Sequence, residues 1–242
     1  MKDYFLCRNR ISVCIATYNG EKYIKEQIRS ILCQIGYNDE IIISDDNSID
    51  KTLEIIKSFN DNRISIYVNH GRKGYSGNFE NALHYANGEY IFLADQDDIW
   101  INGKVEICLK FLHDYDCVVS DAVIVNQDLQ TLNESFFSMR KPYRSLFGNI
   151  LKFGYIGCCF TFKRNVLKKA LPFPQGHSHD NWIFLVAKTF YKTKILNEKL
   201  VLYRRHTSNA STGGFFSNNT VTYKIKYRLH FIYCLIKRYF NK

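Results

Sequence analysis

Tyr90-Ile91-Phe92-Leu93-Ala94-Asp95-Gln96-Asp97-Asp98-Ile99-Trp100 is the stretch from which the chain can be read. An apolar run of strand length ends abruptly in acids at 95, 97 and 98. Asp95 and Asp97 are two residues apart, so extended backbone would point them the same way. Like charges held close repel unless one takes a proton or a cation lies between them. Carboxylate oxygens suit hard cations such as Mg²⁺ or Mn²⁺, which usually share their coordination sphere with substrate phosphates. The stretch therefore reads as a metal–diphosphate site. Taken alone, the same acids also fit a polar turn that caps the next helix.

The preceding segments shift that balance. Ile11 to Thr17 reads as a buried strand ending at the turn Tyr18-Asn19-Gly20. A helix from Glu21 carries Ile24, Ile28, Ile31, Leu32 and Ile35 on one face, with a stop at Gly36. Glu40 to Ser44 is a second strand, ending in Asp45-Asp46-Asn47-Ser48, and a helix with Leu53, Ile56 and Phe59 follows. Arg63 to Val68 is a third strand, and Phe79, Leu83 and Ala86 mark the helix before Tyr90. Such alternation predicts an α/β fold, a mostly parallel central sheet with helices on both faces. The ligand-competent ends of the first, second and fourth strands would then share one sheet edge, where such folds bind ligands.

Beyond Trp100 the pattern is looser. Val105, Leu109 and Leu112 mark a helix, and residues 118–125 a strand region. Residues 126–150 read as a loop with a short helix near Leu146. Gly154 to Phe162 reads as a strand whose glycines allow close approach of a ligand. A helix opens around His179-Asp180-Asn181-Trp182, and a strand from Lys194 to Tyr203 runs into Arg204-Arg205-His206. His177 and His179 raise the possibility of zinc, but no third ligand stands at suitable spacing. A Gly/Ser/Asn-rich loop at 211–219 precedes a basic, aromatic helix from about Val221.

Composition narrows the function. The 242 residues are 46% hydrophobic and 15% aromatic, with eight cysteines in no CxxC spacing. Reduced, buried thiols are expected, not zinc or disulfides. The N-terminus lacks the apolar stretch of a signal peptide, and no segment reaches spanning length. The expected location is cytoplasmic, peripheral on the inner face of the plasma membrane. The net charge is +10, and no acid follows Glu198, which suggests an anionic partner for the C-terminal part. A basic nucleic-acid-binding protein would suit that charge, but no nucleic-acid motif is present, and acids at three strand ends would repel phosphate without a metal. A nucleotidyltransferase of similar fold would want a Gly-rich, basic loop where this chain has Tyr18-Asn19-Gly20-Glu21.

Four ordered stretches, VCIATYNGEKYI, IIISDDNSIDKT, ANGEYIFLADQDDIW and SHDNW, resemble glycosyltransferase family 2, whose fold is the GT-A nucleotide-diphospho-sugar transferase fold. The resemblance implies a domain over residues 1–219, with a nucleotide-binding half at about 10–125 and an acceptor-binding half at about 126–210. Residues 220–242 form a separate basic amphipathic helix. It implies nucleotide contacts from Ala16, Thr17, Tyr18, Glu21, Asp46 and Asp95. It implies a Mn²⁺ or Mg²⁺ ion on Asp95, Asp97 and His206, and a catalytic base at Asp180. Asp98, Asn78, Trp182 and Arg204 would contact donor or acceptor, Trp182 by stacking on a sugar face. The implied activity is inverting, metal-dependent transfer of a sugar from a nucleotide-diphospho-sugar. DQDDIW, HDNW and YRRH are similar to the rhamnosyltransferase branch, so dTDP-rhamnose or a UDP-sugar is the donor class. The acceptor is then a hydroxyl of a surface polysaccharide or a lipid-linked oligosaccharide. The last helix would either bring the enzyme to an anionic membrane surface or pack on the core or a partner chain.

Overall fold

The computed structural model describes residues 10–207, 209 and 220–240. Its first part alternates as the sequence predicts: β1 (Ile11–Thr17), α1 (Ile24–Leu32), β2 (Glu40–Asp45), α2 (Thr52–Lys57), β3 (Ile64–Val68), α3 (Tyr75–Tyr85) and β4 (Tyr90–Asp95). There follow β5 (Ile99–Trp100), α4 (Lys104–Leu112), β6 (Cys117–Val125), β7 (Thr131–Asn133), α5 (Phe136–Arg140) and α6 (Leu146–Leu151). The chain continues through β8 (Phe160–Lys163), α7 (Arg164–Ala170), α8 (His179–Phe190), β9 (Thr193–Arg204) and α9 (Val221–Phe240). The loop expected at 211–219 lies outside the described residues.

One sheet runs in the order β3-β2-β1-β4-β8-β6-β9-β5, with β7 added on β6. Helices cover both faces. The block β3-β2-β1-β4 is parallel, as expected. Beyond β4 the sheet is mixed. β8 is antiparallel to both β4 and β6, and β5 is antiparallel to β9, while β6 and β9 are parallel. The expected parallel arrangement thus holds for β3-β2-β1-β4 and again for β6 with β9, while β8, β5 and β7 run antiparallel to their neighbours.

Hydrophobic periodicity explains the parallel block. Each residue of β2 is buried, and β1 exposes only part of Ala16. Strands covered on both faces read as continuous apolar runs. In α1 the buried stripe is Ile24, Gln27, Ile28 and Ile31. Because β2 and β4 flank β1 on opposite sides, the chain reverses direction of growth at β1. The C-terminal ends meet there: Thr17 pairs in register with Asp45, and Ala16 with Asp95. That switch point is where open α/β sheets place ligands.

Three expectations in the second half change. Residues 126–150 hold a β-hairpin strand and two short helices, with only the helix near Leu146 foreseen. Ser135 and Ser145 cap those helices through Ser138 N and Gly148 N. The strand expected from Gly154 begins only at Phe160, after a 3₁₀ turn at Gly157–Cys159. The glycine at 157 makes room for protein, not ligand: a Cβ there would lie 2.6 Å from His179 Nε2.

Gly88 sets where β4 starts. Its N–H donates to Ser12 Oγ at 2.6 Å, and a Cβ would lie 2.5 Å from Ser12 N and 2.6 Å from Arg10 O. Backbone atoms cannot step aside, so Gly88→Ala must part β1 from β4. Overpacking of this kind costs roughly 1–3 kcal/mol. Urea unfolding of Gly88→Ala should show a loss in that range; an unchanged midpoint would contradict the packing.

Candidate active site

The carboxylates after β4 do not follow simple strand alternation, because residues 96 and 97 form a turn. A carboxylate oxygen of Asp95, one of Asp98 and the Cys158 Sγ lie within 4.8 Å of one another. Asp97 turns to a different group: its Oδ2 lies 2.9 Å from His206 Nε2 and accepts from Asn209 Nδ2 at 2.9 Å. Tyr23 stacks on the His206 ring at 4.7 Å. Asp95 and Asp97 therefore share a turn but face different neighbours. His206, as the sequence suggests, stands at the acids.

Two glutamines, neither foreseen, hold this turn. Gln27, the polar member of the α1 stripe, donates from Nε2 to the Asp95 carbonyl at 2.8 Å. Gln96 accepts from Tyr18 N at 2.9 Å through Oε1 and donates to Tyr18 O at 3.1 Å through Nε2. One amide thus joins the end of β1 to the end of β4.

Asp98 is fully buried. Its Oδ1 accepts from Arg204 N at 2.9 Å, whereas its Oδ2 has no hydrogen-bond partner. Burial raises the Asp98 carboxyl well above the usual carboxylate range, and the Asp97 charge adds to this. Burial likewise raises Asp95, followed by repulsion from Asp98, Asp97 and Asp180. The nearby arginine does not relieve them. Arg204 is buried and gives its guanidinium to Glu26 at 2.6 Å, to Gln127 O at 3.0 Å and to the face of Tyr23. Its expected donor contact is thereby corrected: the side chain anchors β9 to α1, and its backbone N–H serves Asp98.

An uncompensated buried charge costs several kcal/mol, and a hydrogen bond to a charged group returns about 1.5–3 kcal/mol. A proton or a cation has to supply the rest. The carboxylate oxygens that approach each other here are those of Asp95 and Asp98, a donor type that suits a hard divalent ion.

Around β1 and β2 the expected nucleotide contacts form a connected rim. Thr17 Oγ1 donates to Asp45 Oδ1 at 3.0 Å, and Asp45 accepts from Ser48 N and Ser48 Oγ. Asn78 Nδ2 donates to Thr17 O at 2.9 Å, and its own Oδ1 is buried without a partner. Ala16 lines the end of β1, and Tyr18 is 55% exposed beside it. Asp46 accepts from Asn69 Nδ2 and Gly74 N and pairs with Lys73 at 3.2 Å. Glu21 accepts from Lys51 N at 2.9 Å while its own N–H donates to Asp50. It therefore locks the two turns together.

Asp180 sits in the first turn of α8, where the helix dipole favours an anion. Its Oδ1 accepts from Asn181 N at 2.7 Å. Its charge adds to the rise of the Asp95 carboxyl and of the Tyr75 hydroxyl, after burial in both cases. His179 before it packs inward, its ring stacked on Phe79 at 4.2 Å. Trp182 is corrected: it is 1% exposed and donates from Nε1 to Ala170 O at 2.7 Å. At that depth it is a core side chain and offers no face to a sugar.

A parallel nucleotide-type half, crowded acids at its strand ends and a helix-borne acid whose charge adds to theirs define a GT-A glycosyltransferase fold. The chain belongs to glycosyl transferase family 2, whose model matches residues 12–171, and it is a glycosyltransferase. It is 30% identical over 187 residues to the Escherichia coli UDP-Glc:alpha-D-GlcNAc-diphosphoundecaprenol beta-1,3-glucosyltransferase WfgD, covering 76% of this chain and 70% of that one. It is 28% identical over 243 residues to the Shigella flexneri dTDP-rhamnosyl transferase RfbG, covering 88% of this chain and 77% of the relative. The crystal structure of S. aureus TarS 1-349 in complex with UDP-GlcNAc matches with a TM-score of 0.68 at 18% identity, over 92% of this chain and 71% of that one. At that identity the likeness concerns the fold.

The raised carboxyls set a pH signature. In the metal-free protein the native state favours protonated Asp95 and Asp98. Their contribution to stability is thus present in acid and lost as pH rises through their raised pKa values. A divalent ion would replace the protons, so the Mn²⁺-induced rise in Tm should grow as pH rises from the acid range. The rise should shrink in Asp95→Asn. A rise that ignores pH, or survives that substitution intact, would place the ion elsewhere.

Proposed function

We propose that the protein is an inverting glycosyltransferase that takes its sugar from a pyrimidine nucleotide-diphospho-sugar with Mn²⁺ or Mg²⁺ as cofactor. The acceptor is a hydroxyl of a surface polysaccharide or a lipid-linked oligosaccharide. What supports this reading is membership of glycosyl transferase family 2 together with the crowding of Asp95, Asp97 and Asp98 at the end of β4. Ala16, Thr17, Tyr18 and Asp46 form the nucleotide rim, with Glu21 bracing its turns. Asp95, Asp97 and His206 hold the ion. The relatives' names support the donor class, being a UDP-Glc enzyme and a dTDP-rhamnosyl transferase. The first of them also names a diphosphoundecaprenol acceptor, which supports a lipid-linked substrate here.

Inverting transfer is a single displacement. The acceptor oxygen forms its bond to the anomeric carbon as the bond to the diphosphate oxygen breaks. Asp180 takes the acceptor proton as attack proceeds. When bound, the cation neutralises charge that develops on the leaving diphosphate. Asp98 acts through the backbone: by fixing Arg204 N it sets the strand end that carries His206. No enzyme nucleophile is required.

Asp180→Asn tests the base. It should lower kcat by roughly 10²–10⁴-fold while leaving the Mn²⁺-dependent thermal shift with UDP or dTDP intact. Turnover within a few fold of wild type would move the base to another residue, and loss of the shift would mean that the donor site itself had been disturbed.

The same reading places the protein against an anionic membrane through α9. No helix among the described residues is long and apolar enough to cross a membrane. Phe231 and Leu235 of α9 are buried on the body of the protein, while Ile225, Leu229, Ile232 and Ile236 are exposed. Lys224, Lys226 and Lys237 accompany them, and the helix has no acid. An apolar strip with a basic border suits an anionic lipid surface. Leu229→Glu with Ile236→Glu alters only exposed positions. The pair should abolish flotation with vesicles containing phosphatidylglycerol, and unchanged flotation would end this reading.

A further inference from the structure

The turn before α8 and the middle of α9 bring together a donor set that sugar transfer does not use. His230 and Cys234 are four residues apart, which puts both on one face of α9. That face meets His177. His177 Nε2 lies 2.7 Å from His230 Nδ1, and Cys234 Sγ lies 3.5 Å from His230 Nε2. One nitrogen from each ring and the sulfur lie within 4.8 Å of one another. His177 is buried, with its ring 3.7 Å from that of Phe231, and its Nδ1 has no hydrogen-bond partner. His230 is exposed and Cys234 half-buried, so the cluster opens to solvent on one side.

Chemistry separates this cluster from the acids. Two imidazoles and a thiol are the wrong donors for Mg²⁺ or Mn²⁺ and suit a softer ion. Three such ligands with one open position fit tetrahedral Zn²⁺. Zinc–nitrogen bonds of about 2.0–2.1 Å place two ligand nitrogens about 3.3 Å apart, so the rings need part by only about 0.6 Å. His230, being exposed, has room to turn one nitrogen inward.

We propose that His177, His230 and Cys234 bind a thiolate- and imidazole-preferring divalent metal, and that this ion pins α9 to the turn leading to Asp180. On binding, the sulfur–hydrogen bond of Cys234 breaks, its proton passes to solvent, and a sulfur–metal bond forms. Each imidazole stays neutral and keeps its one N–H on the nitrogen the metal does not use. The site is separate from the one that holds the catalytic cation and rests on no feature of sugar transfer.

Cobalt makes the site visible. The full chain, freed of metal, is titrated with Co²⁺, then with Zn²⁺ as competitor. The expected result is one equivalent of Co²⁺ giving a thiolate-to-cobalt band with tetrahedral visible bands, bleached by Zn²⁺. Cys234→Ser should remove the thiolate band, and His230→Ala should weaken binding at least about tenfold. Both residues lie at the surface side of α9, so the variants test ligation without emptying the core. A wild-type protein that gives no such band overturns the proposal. So does a band that survives Cys234→Ser, since the sulfur would then be another, such as the Cys158 thiol beside Asp95 and Asp98.

Discussion

Burying Asp98 constrains much of what surrounds it. Its carboxylate is out of water, one oxygen is without a partner, and the nearest guanidinium is committed to Glu26. Desolvation of a charge outweighs a single hydrogen bond. The neighbouring Asp95 and Asp97 deepen the imbalance, so this corner of the protein favours protons or a cation. The surrounding framework is correspondingly stiff. Gln27 grips the Asp95 carbonyl, Gln96 bridges to the backbone of Tyr18, and the Asp98 side chain holds Arg204 N. The backbone that bears these acids is thus held by neutral amides, Gln27 and Gln96, and not by cations.

The sequence made the parallel half legible because β1, β2 and β4 are buried along most of their length. Continuous apolar runs such as Ile41-Ile42-Ile43 and Ile91-Phe92-Leu93 admit few other readings, and α1 shows its stripe plainly. The shared sheet edge of three strand ends was legible, whereas the switch point at β1 needed the strand order of the fold. In the second half the signals are short and local. β5 is two residues long, β7 three, and the 3₁₀ turn at Gly157–Cys159 sits in a segment as apolar as a strand. Pattern reading cannot separate these from loop or strand.

The site was legible in residue identity more than in residue role. Asp95, Asp97, Asp180 and His206 were visible as types at meaningful places. Arg204 and Trp182 were assigned to substrate on the strength of their chemistry, and tertiary packing overrode both. Burial decided each: Trp182 has its N–H satisfied by Ala170, and Arg204 is held between Tyr23 and Glu26. Gln27 had a readable signal, a lone amide on an apolar helix face. His177 had one too, but its partners lie 53 residues away in sequence on α9, a distance that spacing rules do not reach.

The contact between Asp97 and the His206–Asn209 segment has a consequence for how this corner can change. The three side chains meet although 109 residues separate the first pair, and Asn209 touches both of the others. Groups that share partners in this way do not respond independently to substitution. Losing His206 changes what Asp97 is worth, and the reverse holds equally. The trio therefore behaves as a single composite residue, in which the effect of changing two members together differs from the sum of changing each alone.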